Sequence, residues 1–235
     1  LPSLIFVLLL FLLAFLPTRD WILGFGIWFF FLFDWLLLAL LPRFGKSFGP
    51  AKPPTLILAI LRALGAAFPF PLGVLTQPIG TLLLLYAFWI EPHRIGVTRQ
   101  TFRTRKFNSA APPLRVLHLG DLHIERITAR ERCLLQLTRE LKPDLILFSG
   151  DFLNLSYVHD ALAREHAREI LGSLSAPLGV FAVTGTAAVD PPAIVEKILA
   201  GRPIRWLRDE RVTLQHHGTA IDLIGLACTH QPHLD

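Results

Sequence analysis

Residues 114–123 read LRVLHLGDLH, residues 143–154 read PDLILFSGDFLN and residues 176–185 read APLGVFAVTG. Each is a short apolar run that ends in glycine, and in the first two an aspartate follows that glycine directly. Runs this uniformly apolar suit strands of a sheet covered on both faces. Their spacing of about thirty residues suits βαβ units. Between the first two, residues 128–141 have helical spacing, with Cys133, Leu134, Leu137 and Leu141 on one face. Thr128 and Glu131 stand three apart as a capping box does, and Pro143 stops the helix. Residues 160–174 predict a second helix. Further on, residues 212–215 and 220–226 read as a hairpin around His217, Gly218 and Thr219, which predicts a mixed sheet.

In an open α/β sheet, ligands sit beyond the carboxyl ends of the strands. The three glycine-ended loops are therefore expected on one rim. Asp121, His123, Asp151 and Asn154 place oxygen and imidazole nitrogen donors there. Such donors suit Mn²⁺, Fe or Zn²⁺ and lack the thiolates of a structural zinc site. Asp121 and His123 are two residues apart, and an extended loop points both to the same side. Gly120 and Gly150 allow a sharp turn and a close approach to a metal or phosphate.

The order strand, GDxH, helix, strand, GDxxN, helix, strand, G resembles the calcineurin-like metallophosphoesterase family, and in particular its bacterial membrane-anchored branch. The resemblance covers residues 114–185, and extends to about 226 with less force. It implies an α/β domain of mixed β-sheets flanked by helices, with two divalent metal ions about 3.5–4 Å apart. By resemblance, Asp121 and His123 hold the first ion and Asp151 bridges the two. A water shared by the pair then supplies hydroxide for in-line attack on a phosphomonoester or phosphodiester. Asn154 lies at a variable position and has a supporting or turn-forming role.

The third motif departs from the family pattern. After strand three the family has Gly-Asn-His followed by Asp or Glu, and here the residues are Gly185, Thr186, Ala187 and Ala188. Thr186 stands where an Asn ligand is expected, and Ala187 where a His assists. Losing such a group costs about 10²–10⁴ in rate. Asp190 fits either a ligand moved into that vacancy or an N-cap before Pro191. The family's late His and Gly-His-X-His ligands have only His230 and His233 as candidates, in CTHQPHLD, which does not read as that motif. The domain, residues 114–235, is therefore read as C-terminally incomplete. His216 and His217 read as surface residues of the hairpin turn. Two functions follow: a metal-dependent phosphoesterase, or a catalytically impaired relative that binds a phosphorylated ligand or metal as a sensor or scaffold.

The preceding residues are of another kind. The chain has 235 residues, 52% hydrophobic and 17% charged, against about 25% charged in an ordinary soluble domain. Disorder and a small disulfide scaffold are excluded. Residues 4–16 and 21–41 are apolar runs, and residues 55–90 form a third block interrupted by Pro69, Pro71 and Pro78. About 20 residues cross a bilayer core, so residues 1–90 are expected to be a transmembrane region of four helices, or three with a re-entrant hairpin. Asp34 is expected inside the bundle and Arg62 at a headgroup region by snorkelling. A transporter reading rests on Asp34 and the broken third block alone.

Charge is uneven along the chain. Residues 1–90 carry five basic and two acidic residues, residues 91–115 six and one, and residues 116–235 12 and 15. The net charge of +5 thus reflects a basic juxtamembrane linker, residues 91–113, and not a basic globular face, which argues against nucleic acid as a partner. Basic loops stay inside. The chain is therefore expected in the inner (plasma) membrane as a multi-pass protein, with its C-terminal domain cytoplasmic and residues 91–115 against anionic headgroups. The membrane and a phosphoester substrate, which the location allows to be lipid-linked, are the expected partners. Cys133 and Cys228 read as reduced packing residues. A first residue of Leu and the absence of Met suggest a piece of a longer chain.

Overall fold

Long apolar runs without strand-like alternation fold as helices at the start of the chain. The computed structural model describes residues 1–18, 20–106 and 112–227. Two units form, Leu1–Arg94 and Ile95–Asp235. The first contains α1 (Ser3–Phe15), α2 (Trp21–Leu40), α3 (Lys52–Ala66) and α4 (Leu72–Leu84), the last running on through Leu85–Ile90 as a wider π turn. Asp20 caps α2, its carboxylate accepting the N–H groups of Ile22 and Leu23 at 2.7 and 3.1 Å. Pro69 and Pro71 lie between α3 and α4, whereas Pro78 is carried within α4. Phe6, Leu10 and Ala14, each one turn after the last, pack with Ile27, Phe31, Ala59 and Ala63. The outer faces remain apolar: Leu4, Leu8 and Leu12 of α1 and Leu75, Ile79, Leu82 and Leu83 of α4 are exposed. Two helical stretches, Trp21–Phe44 and Leu72–His93, have 24 and 22 residues and are apolar enough to cross a membrane. At 13 residues α1 is shorter than the roughly 20 a crossing needs.

Asp34 lies in the interior of this unit, as its place in an apolar run implies. Arg62 does not snorkel. It is buried and paired with the Asp34 carboxylate, which Thr81 also reaches. The reason is spatial: α2 places a buried counter-charge, Asp34, in direct reach of Arg62.

The second unit is α/β. Its strands are β1 (Val116–Leu119), β2 (Leu145–Phe148), β3 (Val180–Ala182) and β4 (Ile204–Trp206), all parallel and adjacent in chain order. The crossovers carry α5 (Ala129–Leu141), α6 (Ala161–Gly172) and α7 (Pro192–Leu199). Alternate strand residues divide between two cores. Ile146, Phe148, Val180 and Ala182 meet Ala163, Ala167 and Ile170 of α6 and Val195 and Ile198 of α7. Leu145 and Phe181 face the other way, with Leu207. β5 (Glu210–His216) and β6 (Thr219–Gly225) form the expected hairpin, β5 longer than the sequence predicts and β6 shifted by one residue. They do not join the parallel strands, so among the described residues neither sheet is mixed. The physical reason is their period-two burial, with one face covered. Val212, Leu214 and Leu223 pack flat on Leu145, Phe181 and Leu207.

Two surface expectations change. His216 is buried, with Nε2 3.2 Å from the Pro112 carbonyl oxygen, while His217 is exposed. Cys133 is exposed, because α5 turns Leu134 and Leu135 to the core instead. Cys228, His230 and His233 lie outside the described residues, as does Arg19.

The capping box at the start of α5 is present. The Thr128 hydroxyl accepts the Arg130 N–H at 3.2 Å, and Glu131 accepts the Thr128 N–H at 2.7 Å. Burial pushes the Glu131 carboxyl up, but the Arg130 charge and the Thr128 hydrogen bonds outweigh it and hold it below its ordinary value. Thr128→Ala is expected to cost about 1 kcal/mol, read as a lower melting temperature of this unit. The Glu131 contribution is complete above the ordinary glutamate range and is lost as pH falls through its depressed folded value. The penalty of Thr128→Ala therefore shrinks in acid.

Candidate metal centre

Three neighbouring parallel strands end at one edge, and the loops that leave them are stitched together by their main chains. Asp121 N–H donates to the Gly150 carbonyl at 3.1 Å, His123 N–H to the Asp151 carbonyl at 3.1 Å, and Ile124 N–H to the Phe152 carbonyl at 2.9 Å. Ile124 and Leu153 add a parallel bridge. The loops thus continue the β1–β2 pairing past the strand ends.

The local backbone is not extended, contrary to the Asp-X-His expectation. Asp121, His123 and Asp151 have φ of 52°, 44° and 58°, and Gly150 has 94°. Left-handed non-glycine residues are uncommon and costly, and Asp is among the few that tolerate the region. Here the inter-loop hydrogen bonds enforce it. At Gly150 a side chain would strike the backbone of Gly185, and at Gly185 it would strike the Asp151 carboxylate. These two glycines bring the second and third loops into backbone contact.

The result is one cluster of ligating side chains. His123 Nε2 lies 3.8 Å from Asp121 Oδ1 and 3.6 Å from Asp151 Oδ2. One donor atom from each of the three residues falls within 4.8 Å of the others. Two ligands of a single ion, each about 2.1 Å from it, are at most about 4.2 Å apart, so the His123 separations suit a shared cation. Oxygen and nitrogen donors also match a hard or borderline divalent ion. The Asp121 side chain is 79% exposed and that of Asp151 13%, so the cluster is open on the Asp121 side and sunk at Asp151. Supporting contacts orient the donors. His123 Nδ1 lies 3.3 Å from the Leu153 carbonyl oxygen, which leaves Nε2 facing the two carboxylates. Thr186 N–H donates to Asp151 Oδ1 at 2.8 Å, which leaves Oδ2 turned to His123.

The other sequence candidates fall outside the cluster. The Asn154 side chain accepts the Ser156 N–H at 2.9 Å, capping the short turn Leu155–Tyr157. Thr186 takes part through its backbone, and its side chain is exposed, like Ala187 and Ala188. Asp190 is neither a ligand nor an N-cap; Pro191 holds the capping position of α7. Asp190 is instead buried, and it accepts the N–H groups of Asp151, Phe152 and Gly185 at 2.6, 3.0 and 2.8 Å. Burial pushes its carboxyl above the ordinary range, against the pull of those three donors. No motif signals this role, because all three partners are main-chain groups.

A family model described as calcineurin-like phosphoesterase matches residues 114–185. The UDP-2,3-diacylglucosamine pyrophosphatase LpxG of Chlamydia muridarum is 32% identical over 116 residues, which is 48% of this chain and 33% of that protein. LpxG of Chlamydia trachomatis is 32% identical over 115 residues, 48% of this chain and 33% of its own length. An uncharacterized metallophosphoesterase of Bacillus subtilis, YkuE, is 27% identical over 104 residues, covering 43% of this chain and 35% of its own. The matched stretch thus spans about a third of each relative. No solved structure matches.

Proposed function

We propose, from the premise that this chain belongs through residues 114–185 to the calcineurin-like phosphoesterase family, that it is a membrane-anchored, metal-dependent hydrolase of phosphoester bonds. The observation that carries the reading is the convergence of Asp121, His123 and Asp151 on one rim of the parallel sheet. When bound, divalent cations supply positive charge to phosphoryl oxygens and acidify water. The chain's own residues do the rest. Asp121, His123 and Asp151 would hold one ion, with the exposed Asp121 on the side open to substrate. Thr186 N–H and the Leu153 carbonyl fix the donors beside them. By the family resemblance, Asp151 would be the residue shared with a second ion. Two relatives are named for a diacylated, nucleotide-linked sugar, and the proposed substrate class is accordingly a lipid-linked phosphoester or pyrophosphate.

The anchor is proposed from the helices Trp21–Phe44 and Leu72–His93 and the apolar outer faces of the first unit. The segment after them carries Arg94, Arg99, Arg103, Arg105 and Lys106. Basic residues of this kind favour the cytoplasmic side and an anionic lipid surface, at about 1 kcal/mol each near the headgroups. The phosphoesterase unit is therefore proposed to lie on the cytoplasmic face of the inner membrane.

A second reading is favoured by Thr186 and Ala187, which replace the family's Asn and His: a relative that binds a phosphorylated ligand or metal without turnover. One experiment separates the readings. Carbonate-washed membranes holding the full chain are expected to cleave an aryl phosphodiester with Mn²⁺ and to stop with EDTA. Chain that washes off refutes the anchor. Membranes that bind Mn²⁺ but release no product refute the enzyme and leave the second reading.

A further inference from the structure

The Asp190 carboxylate joins the loops that follow β2 and β3, accepting main-chain N–H groups from both. The turn after β3 is closed by the N–H groups of Val189 and Asp190, which donate to the Thr186 carbonyl at 2.9 and 2.8 Å. That turn brings the Asp190 side chain back beneath the loop after β2. Its Oδ2 accepts from Asp151 N–H at 2.6 Å and from Gly185 N–H at 2.8 Å, and its Oδ1 accepts from Phe152 N–H at 3.0 Å. Asp151 is held at a left-handed φ of 58°, a conformation that persists in a non-glycine residue only where its surroundings over-determine it. Asp190 supplies that determination from below, while Thr186 N–H grips the Asp151 side chain.

We infer that Asp190 is a positioning residue for the metal centre: it acts through the Asp151 backbone to aim the Asp151 carboxylate at the ion. This rests on the metal-dependent reading above and adds a residue to it. It also accounts for a third loop whose exposed side chains, Thr186, Ala187 and Ala188, lack the family's ligands. That loop contributes a backbone clamp. Three N–H donors on two carboxylate oxygens leave no place for an amide group, because one NH₂ would face a donor. Asp190→Asn therefore fails as a substitute despite its shape.

The test uses the full chain in detergent, stripped with chelator and titrated with Mn²⁺, with free Mn²⁺ followed by electron paramagnetic resonance. Melting temperature is measured with and without the ion. Wild type is expected to bind and to gain melting temperature, and Asp151→Ala to do neither. Asp190→Asn is expected to fold, to bind at least tenfold more weakly, and to lose most of the Mn²⁺-dependent gain. Asp190→Glu, which keeps the carboxylate, is expected to recover part of it. A purely structural residue lowers both melts equally and leaves the gain intact. Asp190→Asn that binds within threefold of wild type overturns the inference. So does Asp190→Asn that cannot fold, since a local clamp leaves the sheet standing. Wild type that binds no Mn²⁺ overturns the metal reading itself, and this inference with it.

Discussion

Asp151→Ala is expected to remove Mn²⁺ binding and to lower kcat/KM on an aryl phosphodiester by about 10³-fold or more, the upper range for deleting one group that stabilises transition-state charge. The expectation follows from how many roles meet at this residue. Its Oδ2 is 3.6 Å from His123 Nε2, its Oδ1 accepts the Thr186 N–H, and its carbonyl accepts the His123 N–H at 3.1 Å. Truncation to alanine deletes the carboxylate but keeps every main-chain bond, including the one to Asp190. The cost to folding is then confined to an alanine in the left-handed region, about 1–2 kcal/mol. Asp151→Asn separates charge from conformation, because asparagine tolerates that region and keeps the acceptor for Thr186. It is expected to fold as wild type and still to lose Mn²⁺. Asp121, exposed at the mouth of the cluster, is expected to show a smaller loss when changed to Asn. Equal activity in wild type and Asp151→Ala, assayed in membranes, removes the site from the reaction.

The convergence of Asp121, His123 and Asp151 was legible because their placement is a matter of topology. Parallel strands in chain order force their carboxyl ends to one edge, and the residues just beyond them share that edge whatever their local conformation. Local conformation was not legible. An extended Asp-X-His loop and the observed left-handed one place the same residues on the same rim, and the difference lies in main-chain bonds to the neighbouring loop that no side-chain pattern records. Asp190 escaped for the same reason, since its partners are the N–H groups of Asp151, Phe152 and Gly185. The hairpin was read from its alternation, but where it packs is decided by Leu145, Phe181 and Leu207, residues distant in sequence. His216 illustrates the limit: a turn-flanking histidine looks like surface until the Pro112 carbonyl, 104 residues earlier, covers it. In the helical unit Asp34 was legible as interior because an apolar run surrounds it. Arg62 was not, because its partner lies 28 residues away on another helix.

That pairing sets the second large effect, on the stability of the first unit. Arg62 donates to the Asp34 carboxylate, to Thr81 Oγ1 at 3.2 Å, to Gln77 Oε1 at 3.2 Å and to the Gln77 carbonyl at 2.6 Å. Thr81 donates to Asp34 at 2.8 Å, and Gln77 Nε2 returns to the Arg62 carbonyl at 3.2 Å. The guanidinium carbon lies 5.3 and 5.8 Å from the rings of Phe30 and Phe31. α2, α3 and α4 are tied together by this network. Arg62→Leu leaves the Asp34 carboxylate buried with only Thr81 among the described residues to bond it, and breaking one side of a buried pair costs about 3–5 kcal/mol. Asp34→Leu is expected to cost as much. The double variant Asp34→Leu with Arg62→Leu is expected to recover most of the loss, since exchanging a buried pair for apolar residues is often neutral or stabilising. Denaturant unfolding of the full chain in detergent, followed by tryptophan fluorescence, supplies the four corners of the cycle. Additive losses show that the two charges do not act as a pair. Gly80 offers an independent check: a side chain there meets Arg62 Cδ and Nε at 2.8 Å. Gly80→Ala is therefore expected to destabilise the wild type, read in the same denaturant unfolding.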